Sequence, residues 1–314
     1  MQKLKKTEYF LQKPRCFRFS SRINVLMNEG LLQGQIVQYS PGEGIDQVIG
    51  FKSDRVGLVH TRFPHEACIR TGQPQGYVTF TLPVIDASDW KLNGASGSQR
   101  TLFLNFGWDE TELFAPSRNL FAGSVDTEFL LKVMAALVGY DPDETDIPKG
   151  PISLEPNTFG TLLSVLANAV YGSTDFDDPE AVEQSVAVAL ATALIGERTS
   201  HTPQVCRSYE TFRTAQQYLM QSQGTVVSLD ELCGLCGVSA PTLTAVFYQV
   251  TGLSPARFAR HLRLSRVHKE LSLGEEEKLT VKVAARRAGF SELGRFSGFY
   301  KRVYGELPSQ ILVR

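Results

Sequence analysis

The sequence predicts two domains: an N-terminal β-rich, barrel-like domain with flanking helices, and a C-terminal all-α domain with two helix-turn-helix motifs joined by a linker helix. Three observations carry this prediction. Short alternating apolar runs fill residues 35–106, helical periodicity replaces them from Asp126 onward, and one helix-turn-helix pattern appears twice after Ser208. With 314 residues and 42% hydrophobic content, the chain is longer than one usual domain and has apolar material for two cores. The first domain is expected at 1–198, a linker at 199–206, where TSHTPQV has a proline and no apolar period, and the second domain at 207–314.

Charge divides along the same line. Residues 207–314 hold 15 Lys and Arg against 9 Asp and Glu, whereas residues 1–206 hold 17 against 24. A basic C-terminal part points to a polyanion as its partner. Five scattered cysteines form no disulfide framework and suit a reducing compartment. No run approaches 18 apolar residues, and MQKLKKTEYFLQKPR has no apolar core of a signal peptide, so a soluble, cytoplasmic protein without a membrane partner is expected.

In chain order, Val56, Leu58 and His60, then Val78, Phe80 and Leu82, then Leu102, Leu104 and Phe106 alternate as strands, separated by Gly and Pro punctuation. They read as a small barrel or sandwich, whose interior could hold a small ligand or only a packed core. Phe129, Leu130, Val133, Met134 and Leu137 then make one apolar helical face that stops at Gly139. Residues 140–156 have five carboxylates, four prolines and no apolar period, so they read as a loop. Asp141, Asp143, Glu144 and Asp146 lack the central glycine and final glutamate of a calcium loop. Two more helices are expected at about 158–171 and 179–198. Leu162 to Leu166 and Val182 to Leu194 are apolar enough to predict self-association into a homodimer.

In the first helix-turn-helix copy, Leu229, Leu232, Cys233 and Cys236 precede Gly237, and Leu243, Val246, Phe247 and Val250 precede Gly252 and Pro255. In the second, Val281, Ala284, Ala285 and Ala288 precede Gly289, and Phe296, Phe299, Tyr300 and Val303 precede Gly305 and Pro308. The offset grows by one residue between the first and second helices, so the second copy has the longer turn. Ser228 with Glu231 forms a capping box, Ser239 caps the next helix, and Pro241 is tolerated in its first turn. From Ser254 and Pro255 a helix reaches about Ser272, roughly 27 Å long at about 1.5 Å per residue. That length suits two recognition helices in major-groove segments about 34 Å apart.

The segments SAPTLTAVFYQVTGLSPARFARHLRL and AGFSELGRFSGFYKRVYGELPSQIL resemble the DNA-binding region of AraC-type transcription regulators, and GRFSGFYKRVYGELPS is most similar to the ethanolamine-utilisation activators. The resemblance implies double-stranded DNA as partner, an N-terminal domain for a small-molecule effector and dimerisation, RNA polymerase as partner of an activator, and no cofactor. DNA-facing residues are then expected at Pro241, Thr242, Thr244, Ala245, Tyr248 and Gln249 on the first recognition helix. On the second they are Gly294, Arg295, Ser297, Gly298, Lys301 and Arg302. The first face has no cation, because Pro241 and Ala245 stand where the family commonly has long polar residues. The second face has three.

Other chemistry is weaker. Cys233 and Cys236 spell CxxC but lie on an apolar stripe, without the second pair a zinc site needs, so they read as core. His60, His65 and Glu66 are candidate ligands for a metal-dependent β-barrel enzyme, the rival class, but without the close His-x-His spacing such barrels supply. Arg257, Arg260, Arg263, Arg266 and Lys269 recur every third residue, which turns them about 60° around the helix at each step. One or two of them are expected to touch phosphate and the rest to pair with Glu270 or with Glu275 to Glu277.

Overall fold

The computed structural model describes residues 17–21, 34–40, 47–72, 74–105, 110–148, 150–172, 178–196, 207–222, 224–273 and 279–311. They fall into two compact units, one drawn from residues 1–34, 45–64 and 70–204, the other from 35–44, 65–69 and 205–314. The second thus includes two short N-terminal segments beside the C-terminal helices. The expected linker at 199–206 and Phe106 lie outside the described residues.

Strands β1 (Phe17–Ser21), β3 (Gln47–Lys52), β4 (Val56–Phe63), β6 (Tyr77–Pro83), β9 (Thr101–Leu104), β11 (Arg118–Asp126) and β12 (Gly150–Ser153) form a seven-stranded antiparallel sheet in the order β1-β3-β4-β11-β6-β9-β12. Strands β2 (Gly34–Gln38), β5 (Ala67–Gly72), β7 (Lys91–Leu92), β8 (Ala95–Ser96) and β10 (Glu110–Ala115) form a second sheet in the order β2-β5-β10-β7-β8. Neither order closes on itself among the described strands, so the β-rich domain expected as a small barrel or sandwich is built of two open sheets.

The alternating runs explain the layering. Val78, Phe80 and Leu82 on β6, Leu102 and Leu104 on β9, and Phe121 and Val125 on β11 join a core shared with three helices. Phe103 and Leu120, of opposite parity on β9 and β11, pack instead with Trp90, Leu92 and Leu113. Both faces of the sheet are therefore covered at its centre, and Thr79 and Thr81 are buried beside their apolar neighbours. Trp90, Leu92, Phe103, Leu113 and Leu120 are all buried in this second cluster.

Helix α1 (Thr127–Val138) starts where Asp126 Oδ1 accepts the amide of Phe129 at 2.8 Å and stops at Gly139 with φ 78°. Helices α2 (Pro156–Tyr171) and α3 (Pro179–Gly196) complete the layer. Leu162, Leu166, Val186, Ala187, Leu190, Ala191, Ala193 and Leu194 are buried in the same core. The apolar content of these helices is thus largely spent within their own unit, while Leu163, Val165, Val182 and Val188 stay half-buried.

Residues 140–156 are not all loop. Ile152 on β12 pairs with Leu102 on β9, and Ile147, Ile152 and Leu154 are buried. The strand is four residues long, contains Pro151 and lies at the sheet edge, so no local period marks it; its partner is some fifty residues away. The acidic turn closes on itself: Asp143 Oδ1 accepts the Thr145 amide at 2.7 Å and Asp146 Oδ2 accepts the Asp143 amide at 3.0 Å. The Thr145 hydroxyl and amide hold the exposed Asp143 carboxyl below its usual range.

One ion pair ties sheet to helices. The Arg55 Nε, in the β3–β4 turn, donates to Glu183 Oε2 at 2.6 Å, the Arg55 amide donates to Glu183 Oε1 at 3.3 Å, and the guanidinium lies 4.4 Å from the centre of the Phe129 ring. Glu183 is 4% exposed, so its charge depends on these donors. Glu183→Ala should lower the stability of this unit by about 1–3 kcal/mol, because the Arg55 amide loses its acceptor while the guanidinium can rehydrate. Chemical denaturation followed by tryptophan fluorescence checks this, and an unchanged midpoint would refute the role given to the pair.

Candidate nucleic-acid interface

The second unit consists of two trihelical halves. Helices α4 (Arg207–Gln221), α5 (Leu229–Cys236) and α6 (Ala240–Thr251) make the first, and α7 (Pro255–Leu273), α8 (Val281–Arg287) and α9 (Leu293–Tyr304) the second, followed by α10 (Pro308–Ile311). Helix α4 was not legible as a partner of the first pair, yet Phe212 on it meets Phe247 and Phe258 edge-on at 5.0 and 5.4 Å. Helix α7 serves both halves: Phe258 closes this aromatic trio, while Leu264, Val267 and Leu271 join Ala284, Ala285, Phe296 and Tyr300 in the other core.

Helices α5 and α6 meet at 88°, joined through Gly237 (φ 64°) and Ser239, whose hydroxyl accepts the Thr242 amide at 3.4 Å. In the second half Thr280 caps α8, and the longer turn runs through Gly289 to Glu292. Of the expected capping box, Ser228 Oγ accepts the Glu231 amide at 3.1 Å, but the Glu231 carboxylate accepts the Tyr218 hydroxyl. That contact fastens α5 to α4 and raises the hydroxyl above its usual range.

The arginines of α7 are corrected in their role. Arg263 Nη1 donates to the Gly289 carbonyl at 3.1 Å, and an Nη2 of Arg266 donates to the Leu219 carbonyl at 2.9 Å and to that of Met220. Both are half-buried and satisfy chain ends; Glu270 pairs with Arg287 at 2.8 Å, and Glu275 to Glu277 lie outside the described residues. Gly224 (φ 94°) and Gly289 (φ 80°) pass so closely that a Cβ on Gly224 would lie 1.9 Å from the Arg287 oxygen and one on Gly289 2.1 Å from the Gly224 oxygen. No other residue fits at either place. Together these contacts fix the two halves against each other.

On that frame α6 exposes Pro241, Thr242, Ala245, Tyr248 and Gln249, with Thr244 half-buried; Tyr248 is 52% exposed. Helix α9 exposes Gly294, Arg295, Gly298, Lys301 and Arg302, with Ser297 half-buried. Arg295 is not wholly free: its Nε lies 3.0 Å from Glu292 Oε2, with both side chains largely exposed. Such a pair contributes about 0–1 kcal/mol and yields readily to a stronger acceptor. The sequence reading missed Glu292, which stands three residues before Arg295 and was legible as an i, i+3 partner.

Residues 38–40 complete the unit. Gln38 Nε2 donates to the Val303 carbonyl in the last turn of α9 at 2.8 Å, and His261 Nδ1 on α7 lies 2.9 Å from the Gln38 carbonyl, to which its N–H donates. An otherwise orphaned helix-end carbonyl is thereby satisfied. Burial lowers the His261 pKa to about 4, with the Gln38 carbonyl opposing and Arg257 and Arg260 adding to the drop. His268, whose Nδ1 meets the Tyr300 hydroxyl at 2.8 Å and whose ring stacks on Tyr304, is also lowered to about 4 by burial.

The remaining candidates are structural. Cys233 and Cys236 are half-buried, Cys236 Sγ lies 3.7 Å from the Thr211 oxygen, and burial raises that thiol. His60 commits both ring nitrogens, to the Tyr171 hydroxyl and to Asn119 Oδ1 at 2.7 Å. Among the described residues no three His, Cys, Asp or Glu side chains converge to hold a metal, and the metal-enzyme reading of His60, His65 and Glu66 gains no support. No single described helix is long and apolar enough to cross a membrane.

Two helix-turn-helix halves on one shared helix, each turning a second helix outward, define a DNA-binding domain of the kind found in transcription regulators. Comparison with known proteins agrees: residues 232–314 match the family described as "Helix-turn-helix domain". The chain is 31% identical over 101 residues to the XylDLEGF operon transcriptional activator 2 of Pseudomonas putida, covering 32% of this chain and 64% of that one. It is 30% identical over 100 residues to the probable thc operon regulatory protein of Rhodococcus erythropolis, covering 32% and 30%. It is 33% identical to the solved structure of a probable AraC family transcriptional regulator from Rhodopseudomonas palustris, over 33% of this chain and 96% of that one, with a TM-score of 0.32. Through this C-terminal third the chain is similar to AraC-type transcription regulators. It spans less than two thirds of the length of either curated relative.

The buried histidines set a pH dependence. Their folded pKa of about 4 lies below the unfolded value of 6.5, so the unfolded chain binds more protons between these limits. Stability from neutral His261 and His268 is complete above pH 6.5 and is lost as pH falls toward 4, by up to about 1.4 kcal/mol per pH unit for each. Thermal unfolding of the helical unit between pH 7 and 4.5 checks this, and His261→Leu should remove about half of the slope.

Proposed function

We propose that this chain is a sequence-specific transcription activator that responds to a small-molecule effector. Its two recognition helices would read double-stranded DNA unequally. The observation that carries the reading is the exposed face of α9, where Arg295, Lys301 and Arg302 accompany small Gly294, Ser297 and Gly298 that permit close approach to the groove. The uncharged face of α6 fits groove shape and thymine methyls through Thr242, Thr244 and Ala245. The activator part rests on the names of the matched relatives, and RNA polymerase is the partner it brings with it. The effector and homodimer parts rest on family resemblance and on the separate β-rich unit. The ethanolamine link rests only on GRFSGFYKRVYGELPS; the two curated relatives described above take their names from other operons.

In this reading Arg295 leaves Glu292 for a guanine edge, whereas Lys301 meets phosphate. Arg295→Ala should cost about 1–3 kcal/mol of DNA affinity and relax preference at one or two positions of one half-site. Selection from randomised duplexes with both proteins tests this; an unchanged motif with uniformly lower affinity would sink the assignment. Glu292→Gln should tighten binding severalfold, at roughly 1 kcal/mol or less, by freeing Arg295 and removing a charge facing the phosphates. Weaker binding by a fully folded Glu292→Gln protein would count against it.

A further inference from the structure

We infer that Arg260 on α7 and Arg302 on α9, which share the Phe299 ring, form a grip for the DNA sugar-phosphate backbone beside the part of α9 that reads bases. The inference rests on the DNA-binding reading above and adds to it a residue from outside either helix-turn-helix.

The Arg260 guanidinium carbon lies 5.3 Å from the Phe299 ring centre, and that of Arg302 lies 5.9 Å from the same centre. Phe299 itself meets the His261 ring edge-on at 5.1 Å, so the ring that the two cations share is anchored to the α7–α9 contact. A guanidinium seated over an aromatic ring engages its face and leaves its in-plane N–H edge available, which is the edge that takes phosphate in a forked geometry.

The charge balance singles out this place. On the same helix Arg263 and Arg266 spend their donors on the carbonyls of Gly289, Leu219 and Met220. Arg287 is answered by Glu270, and Arg295 by Glu292. Arg260 and Arg302 are exposed, and among the described residues neither has a carboxylate within ion-pair distance. Lys301 is exposed next to Arg302, and Arg257 lies one turn before Arg260, near enough to His261 to lower its pKa. An anion near this ring is attracted by both cations. A phosphate here anchors the C-terminal end of α9 while Gly294, Arg295 and Gly298 at its start enter the groove.

The test uses the full chain and a duplex that the wild-type chain selects from random sequence. Arg260→Gln and Arg302→Gln should each weaken binding about fivefold to tenfold near physiological salt, reduce the slope of log affinity against log salt by about 0.9, and leave the selected motif unchanged. A series of duplexes with single neutral methylphosphonates locates the contact. At one or two adjacent positions the wild type should lose affinity and Arg260→Gln should lose none further. Arg260→Lys, which keeps the charge, should keep the salt slope, and melting curves report whether each variant is folded. A folded Arg260→Gln protein with the wild-type slope, or strictly additive losses at every methylphosphonate, would overturn the grip. Failure of the wild type to select any duplex would instead overturn the DNA-binding reading.

Discussion

Everything in the helical unit depends on α7 being shared. A helix covered on several sides by two cores has no free choice of position, and Phe258 on one side with Leu264, Val267 and Leu271 on the other fix it along its length. Arg263 and Arg266 extend this hold from the side chains to the backbone by binding carbonyls at the ends of α8 and α4. The close passage of Gly224 and Gly289 removes the remaining slack. Two recognition helices mounted on such a frame keep one spacing, which is what reading successive turns of a duplex requires.

The same frame makes the two halves unequal. In the first, α4 supplies the third helix and carries Tyr218 to Glu231. In the second, α7 takes that place, and buried polar groups such as His268 and Tyr300 sit among the aromatic side chains. A polar core that is hydrogen-bonded specifies one arrangement more narrowly than an apolar one. The half with the more specified core is also the half whose outward helix has the cations.

In the other unit the governing constraint is a sheet covered on both faces. Burial of threonines alongside Val78, Phe80 and Leu82 on β6 follows from its central place, between β11 and β9. The three helices spend their apolar faces on one side of that sheet. Buried Glu183 is tolerated because Arg55 brings it three donors from one residue of a turn.

Much of this was written in the sequence. Local rules gave the helix start near Asp126, the caps at Ser228 and Ser239, the stops at Gly139, Gly237 and Gly252, and the repeat with its longer second turn, because each depends on residues within one or two helical turns. The outward faces of α6 and α9 followed from the same periodicity, and the exposure of Arg295, Lys301 and Arg302 agrees with it. What involved distant partners could not be read. Ile152 joins a sheet through Leu102, Gln38 reaches Val303, and Arg266 reaches Leu219, each pairing chosen by packing across many residues. The sequence by itself determined most of the helical segments, though not α4, and which of their faces must be covered. Only the tertiary structure decided what covers them, and so which arginines of α7 bind the chain and which remain for a partner, because burial and hydrogen bonding are settled by neighbours in space.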